Sequence, residues 1–251
     1  MSAMSITYDR IMPDPWLATT ITIPAGRCGP PGMANGGWVS GSVAGHLGAG
    51  PIEVTLRAPT PLDTPLDLGA ADDVATLSVD DELLVSARRS PGTVRAPAPV
   101  DWHLAAAAEA GFAGHHDHPF PGCFVCGTER AVGEGLRIFP GALPGTPARA
   151  AAVFTPAEAH AGPHGRLPAA AVWAALDCPT AWVNMAPGAV ALLGRLRAEV
   201  RGELHPGRSY QVVAESAGQE GRKAYGRAGI YDRDGRLLAA SEATWISVAP
   251  T

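Results

Sequence analysis

Three stretches of the chain hold residue types that can do chemistry. The first is Asn35-Gly36-Gly37, set directly before the small, apolar run Trp38–Ala44. Backbone N–H groups at the start of a helix point outward unpaired, at the positive end of its dipole, so they can hold a negative oxygen. Glycine at 36 and 37 lets a ligand carbonyl approach that backbone, and Asn35 can orient a water or bind an oxygen. The second is Asp177, which ends Val172-Trp173-Ala174-Ala175-Leu176-Asp177. A carboxylate held among Trp173 and Leu176 loses solvent and gains basicity, so it can serve as a general base or as a nucleophile. Each also has a plainer reading. Asn-Gly-Gly is a common turn, and an Asp near a helix end can bond local backbone.

The third stretch is Cys123-Phe124-Val125-Cys126-Gly127. It has the form of half a zinc knuckle, with His115, His116 and His118 just upstream as candidates for a third and fourth ligand. The metal candidates are therefore Cys123, Cys126 and His118. A second Cys-x-x-Cys is absent, which leaves a redox pair or a reduced structural turn as the other readings. Cys178 stands beside Asp177 with no histidine nearby in sequence, and reads as a buried, inert thiol.

These residues need elements to hold them. Gly36–Ala44 and Pro168–Asp177 suit buried helices of small residues; Pro168 fits a first turn, and Pro179 is expected to stop or kink the second helix soon after Asp177. Ile52–Arg57 and Leu196–Arg201 alternate apolar and polar side chains and both close on Arg, which predicts two strands, each buried on one face. A Pro-containing turn follows each strand. Later, Asp80–Ala87 and Asp234–Ser241 both read as a polar hairpin turn leading into a strand. Opening strands are expected over Trp16–Ile23 and Ala148–Phe154. The chain thus divides into repeats at 1–90 and 148–251, with a connection at 91–147. That connection holds the Pro-rich Pro91–Pro99, a short helix capped by Asp101, and an irregular stretch with the Cys-x-x-Cys loop.

Strand, buried helix and then an antiparallel sheet curled around it resembles the hotdog fold. Two copies in one chain resemble the double hotdog of acyl-CoA thioesterases, an α+β class. Ala34-Asn35-Gly36-Gly37-Trp38-Val39 is similar to that superfamily's loop-into-helix segment, and Val172–Asp177 to the helix ending in its catalytic acid. His118-Pro119-Phe120-Pro121-Gly122-Cys123-Phe124-Val125-Cys126-Gly127, followed by Gly135–Phe139, resembles a thioesterase-like double-hotdog group. The resemblance implies hydrolysis of a CoA-linked thioester between the repeats. In it, Asp177 is general base or mixed-anhydride nucleophile, Gly36-Gly37 is the oxyanion site, and Asn35 is an orienting group. Trp38, Trp173 and Thr180 are the expected substrate-binding residues. The first repeat supplies the glycines and the second the acid, which implies one competent and one degenerate site. Hotdog hydratases pair an Asp with a His five residues on; Trp182 occupies that position. The alternatives are a non-catalytic acyl or small-ligand-binding hotdog protein, or a zinc-stabilised interaction module.

Composition sets the outer limits. The chain has 251 residues, 46% apolar and 17% charged, too rich in core formers for disorder. A net charge of −5 offers no basic field for nucleic acid or anionic membrane. Met1–Ile11 lacks the apolar run of a secretory signal, and four cysteines are too few for a disulfide scaffold. The expectations are a cytoplasmic, globular protein that needs no cofactor, with a structural zinc at the Cys-x-x-Cys loop as an option. It is expected to form a homodimer through sheet edges. Arg137, Arg195, Arg197 and Arg201 could meet CoA phosphates, although alternating Arg on a strand usually marks a solvated face.

Overall fold

A computed structural model describes residues 17–186 and 188–248. Trp16 and the stretch Met1–Ile11 lie outside the described residues. In chain order the elements are β1 (Leu17–Thr22), α1 (Gly36–Ala44), β2 (Ile52–Leu56), β3 (Pro65–Ala71), β4 (Val74–Val79), β5 (Glu82–Arg89) and α2 (Trp102–Ala108). There follow β6 (Gly141–Leu143), β7 (Thr146–Phe154), α3 (Ala169–Trp182), β8 (Val190–Val200), β9 (Tyr210–Glu220), β10 (Lys223–Tyr231) and β11 (Leu237–Val248).

The eleven strands form one antiparallel sheet in the order β1-β3-β4-β5-β2-β8-β11-β10-β9-β7-β6. Its centre is the β2–β8 pair, the two strands whose alternation is evident in sequence. Four residue pairs join them, from Ile52 opposite Ala198 to Thr55 opposite Arg195. Read outward from that seam, one side runs β2-β5-β4-β3-β1 and the other β8-β11-β10-β9-β7-β6.

Both long helices lie on one face of the sheet. α1 packs on β2, β4, β5 and β8, and α3 on β7 through β11. They run antiparallel to each other and very close, because glycine removes the side chains between them. A Cβ on Gly37 would sit 2.5 Å from the Cβ of Asp177 and 2.8 Å from the Cα of Ala174. A Cβ on Gly41 would sit 2.6 Å from the Cα of Ala170. Strand residues alternate between faces, and α2 covers the opposite face of β7 and β9. Ala105 and Ala108 meet Ala151 and Val213 there, whereas Ala152 and Val212 belong to the main core. Asp101 caps α2 as expected, its Oδ1 accepting from the N–H groups of His103 and Leu104.

One expectation needs correction. Pro179 does not end the second helix, since α3 continues to Trp182. Thr180, one residue beyond it, is fully buried; its hydroxyl donates to the Asp177 carbonyl at 2.6 Å and accepts from Trp245 Nε1 at 2.8 Å. Burial and these bonds hold the last turn against a proline penalty of about 3 kcal/mol. The irregular stretch 112–140 is packed into the core. Phe112, Phe124, Val125 and Ile138 are buried in the core, and backbone bonds tie the segment down, including Phe124 N–H to Cys28 O and Ile138 N–H to Val125 O.

Within this segment's packing, His160 is buried edge-on to Phe124, its Nε2 3.2 Å from the Gly135 carbonyl oxygen and its Nδ1 without a partner among the described residues. Burial, and then the Arg27 charge, push its pKa below the ordinary histidine range despite the opposing pull of Gly135. The unfolded chain therefore takes up a proton first as pH falls, and the contribution of neutral His160 is lost. Between about pH 7.5 and about pH 5.5, on either side of the ordinary histidine pKa, the wild-type urea midpoint should fall relative to that of His160→Phe. The comparison cancels the opposite contribution of Asp177, whose raised pKa favours the folded state as pH falls.

Candidate functional site

The N-terminus of α1 meets the C-terminal half of α3 at the floor of a cavity of about 290 Å³. Its walls are largely apolar: Met33, Leu56, Phe120, Trp182, Met185 and Leu193 among them. Asn35, Gly36, Asp177 and three cysteines form a polar cluster in that lining, which also includes Arg57, Thr60 and His118.

Asp177 is 1% exposed. Its Oδ2 accepts from the Gly37 N–H at 2.8 Å and from the Asn35 amide at 3.0 Å. Its Oδ1 has no hydrogen-bond partner among the described residues. Burial raises its pKa to about 7, with the neighbouring Cys123 adding to the rise; the Gly37 N–H and the Asn35 amide pull it back. Protonated and ionised forms are thus both accessible near neutrality, the condition general acid–base chemistry needs.

Asn35 has two jobs. Its Oδ1 caps α1 by accepting from the Trp38 N–H at 2.9 Å, and this fixes the amide nitrogen toward Asp177. The same nitrogen lies 3.9 Å from the Cys178 sulfur. Asn35→Ala should cost about 1 kcal/mol of stability, the usual worth of an N-cap. Asn35→Ser, which can still cap, should recover most of it in thermal unfolding.

The structure brings Asn35, Gly36 and Asp177 together and revises the part played by Gly37. The Gly37 N–H is already taken by Asp177, and its missing side chain makes room for α3 rather than for a ligand. Gly36 lies in the cavity wall and is the first helical residue, where the N–H has no intrahelical acceptor. The three expected substrate-binding residues do not line this cavity. Trp38 packs edge-on to Phe124, ring centroids 5.2 Å apart, under the Arg27 guanidinium. Trp173 borders a second cavity of about 260 Å³ at the other end of the helix pair. Thr180 is occupied by Asp177 and Trp245.

His118 is likewise not a partner of the cysteines. Its Nδ1 accepts from the Phe120 N–H at 3.0 Å, and its Nε2 faces the Cys126 carbonyl at 3.0 Å. The third sulfur beside Cys123 and Cys126 comes from Cys178, 55 residues away. Sequence spacing does not register that approach, because it depends on how the loop folds onto α3. Sequence reasoning also misses Gly41 as a position that shapes the site. Its four-residue interval from Gly37 is the available signal for close helix packing.

No protein-family model matches the chain, and no curated protein sequence matches it. Solved structures do. The TesB protein of Mycobacterium avium subspecies paratuberculosis is 14% identical over 92% of this chain and 93% of its own, with a TM-score of 0.60. A conserved protein of unknown function with a hot dog fold from Alicyclobacillus acidocaldarius is 14% identical over 93% and 94%, TM-score 0.60. Acyl-CoA thioesterase II TesB2 of Mycobacterium marinum is 11% identical over 80% of each chain, TM-score 0.51. With one antiparallel sheet wrapped on buried helices and these likenesses across nearly its whole length, the chain has the hotdog fold.

Proposed function

We propose that the chain is a double hotdog whose repeats, 1–90 and 148–251 joined by 91–147, hydrolyse an acyl-CoA or related thioester in the cavity between α1 and α3. The duplication is supported by the matching strand orders on either side of the β2–β8 seam. One observation carries the functional reading: a buried carboxyl with one unpartnered oxygen stands beside a helix N-terminus in the polar cluster of a largely apolar cavity.

The acyl group lies along Met33, Leu56, Met185 and Leu193, with its carbonyl at the α1 N-terminus. The Gly36 N–H stabilises the oxygen as charge develops on it. Asp177 Oδ1 either takes a proton from water as that water adds to the carbonyl, or attacks the carbonyl itself to form an anhydride that water then cleaves. In both routes water supplies the acid's hydroxyl, and the thiol leaves with a proton. The second cavity has Gly45 and Ala44 where the first has Asp177, and is the degenerate copy. Two chains would pair through the terminal strands of the sheet, β1 and β6.

A second reading, ligand binding without turnover, draws on the Gly37 N–H already being held by Asp177. Free-thiol release from short, long and aromatic acyl-CoAs decides between them. Turnover supports hydrolysis. Binding of an acyl-CoA with no release of thiol overturns it and leaves the binding reading.

A further inference from the structure

The hydrolytic scheme makes no use of the three cysteines in the polar cluster of the cavity. Cys123, Cys126 and Cys178 are all free and buried, and their sulfur atoms lie within 4.8 Å of one another. The Cys123–Cys178 separation is 3.7 Å. That matches the edge of a tetrahedron with metal–sulfur bonds of about 2.3 Å, which is roughly 3.8 Å.

The loop that carries Cys123 and Cys126 is a tight turn. The loop closes with the Gly127 N–H donating to the Cys123 carbonyl at 2.9 Å. A Cβ on Gly127 would fall 2.3 Å from that carbonyl oxygen and 2.7 Å from the Cys123 nitrogen, so only glycine completes this turn. The third sulfur is carried by α3, the residue after Asp177, and all three cysteines border the cavity, which gives an ion a route in.

We propose that Cys123, Cys126 and Cys178 bind a thiophilic divalent cation of the zinc type through three thiolates, with the fourth coordination position facing the cavity. Each thiol gives up its proton to solvent as its sulfur–metal bond forms, and nothing is oxidised. The ion would clamp the buried loop of the connection onto α3, across the boundary between the middle segment and the second repeat. The assignment does not rest on thioester hydrolysis.

Zinc alone is the probe. Reduced, metal-stripped full-length protein is incubated with a small excess of zinc, desalted, and measured by elemental analysis. The expected content is about one zinc per chain, the stoichiometry of a single site. Cys126→Ser and Cys178→Ser should each lower retention at least tenfold. Cys28→Ser should keep it, because the Cys28 sulfur contacts the Gly122 carbonyl and Arg130 instead. Cobalt in place of zinc should give intense sulfur-to-metal charge-transfer absorption, weakened in each of the two variants. Circular dichroism of the variants separates loss of a ligand from loss of the fold. Wild type that keeps no stoichiometric zinc overturns the proposal. Equal retention when Cys123, Cys126 and Cys178 are all Ser overturns it too, as does an intact-mass loss of two hydrogens showing a disulfide among them in the unreduced protein.

Discussion

Asp177→Asn should lower kcat for thioester hydrolysis by about a thousandfold, some 4 kcal/mol of transition-state stabilisation, with little change in KM. The substitution is almost isosteric. An amide oxygen at 177 still accepts from the Gly37 N–H and the Asn35 amide, which now hold Oδ2 at 2.8 and 3.0 Å. What it lacks is a basic, nucleophilic second oxygen in the place of the unpartnered Oδ1. The melting temperature should stay level or rise, because an amide avoids the cost of burying a carboxylate. Activity and stability therefore move independently, and steady-state thiol release beside a thermal melt reads both. Full turnover in a well-folded Asp177→Asn protein would remove Asp177 from the chemistry while leaving the fold untouched.

Gly41→Val should destabilise the protein by about 3 kcal/mol, the upper range for forcing atoms into a packed core. For a chain of this size that is a fall in Tm of roughly 6–12 °C. The β-carbon would lie 2.6 Å from the Cα of Ala170 and 2.7 Å from the Ala169 carbonyl oxygen. Those are backbone atoms of a buried helix and cannot swing aside as a long side chain would. Val also adds two methyl groups at the point of closest approach. The control is Gly26→Val, where a β-carbon would meet nothing within 4 Å and the cost should stay small. Differential scanning calorimetry at matched concentration compares them.

Much of this arrangement is legible in the amino-acid pattern. Period-two alternation at Ile52–Arg57 and Leu196–Arg201 identifies the two central strands, because each must bury one face and wet the other. The pairing of Asn35 with Asp177 follows from asking which half keeps which feature. Other parts are not legible, for physical reasons. Proline at 179 signals a helix end only where water or a free chain can take over, and a buried turn held by Thr180 removes that choice. Trp38 and Trp173 look like pocket residues because aromatics suit ligands, yet the same area also packs well: Trp173 is buried in the core beside the second cavity, and Trp38 packs half-buried against the core. The irregular stretch after Gly111 carries no periodicity at all, so its burial depends on tertiary contacts that spacing does not encode. The approach of Cys178 to Cys123 goes unread for the same reason.

The Asn35–Asp177 hydrogen bond joins residues 142 positions apart, across a seam of four β2–β8 residue pairs. Contacts so distant in sequence form late, after most of the entropy of the intervening chain has been lost. An early folding species with only one half organised would contain the helix terminus without the carboxyl, or the carboxyl without the terminus. The buried acid then acts as an assembly checkpoint: its two donors come from the opposite half, and before docking its charge remains in water. A polypeptide severed in the 91–147 connection would carry the two ingredients on separate fragments, and only their reassociation would restore the cavity floor.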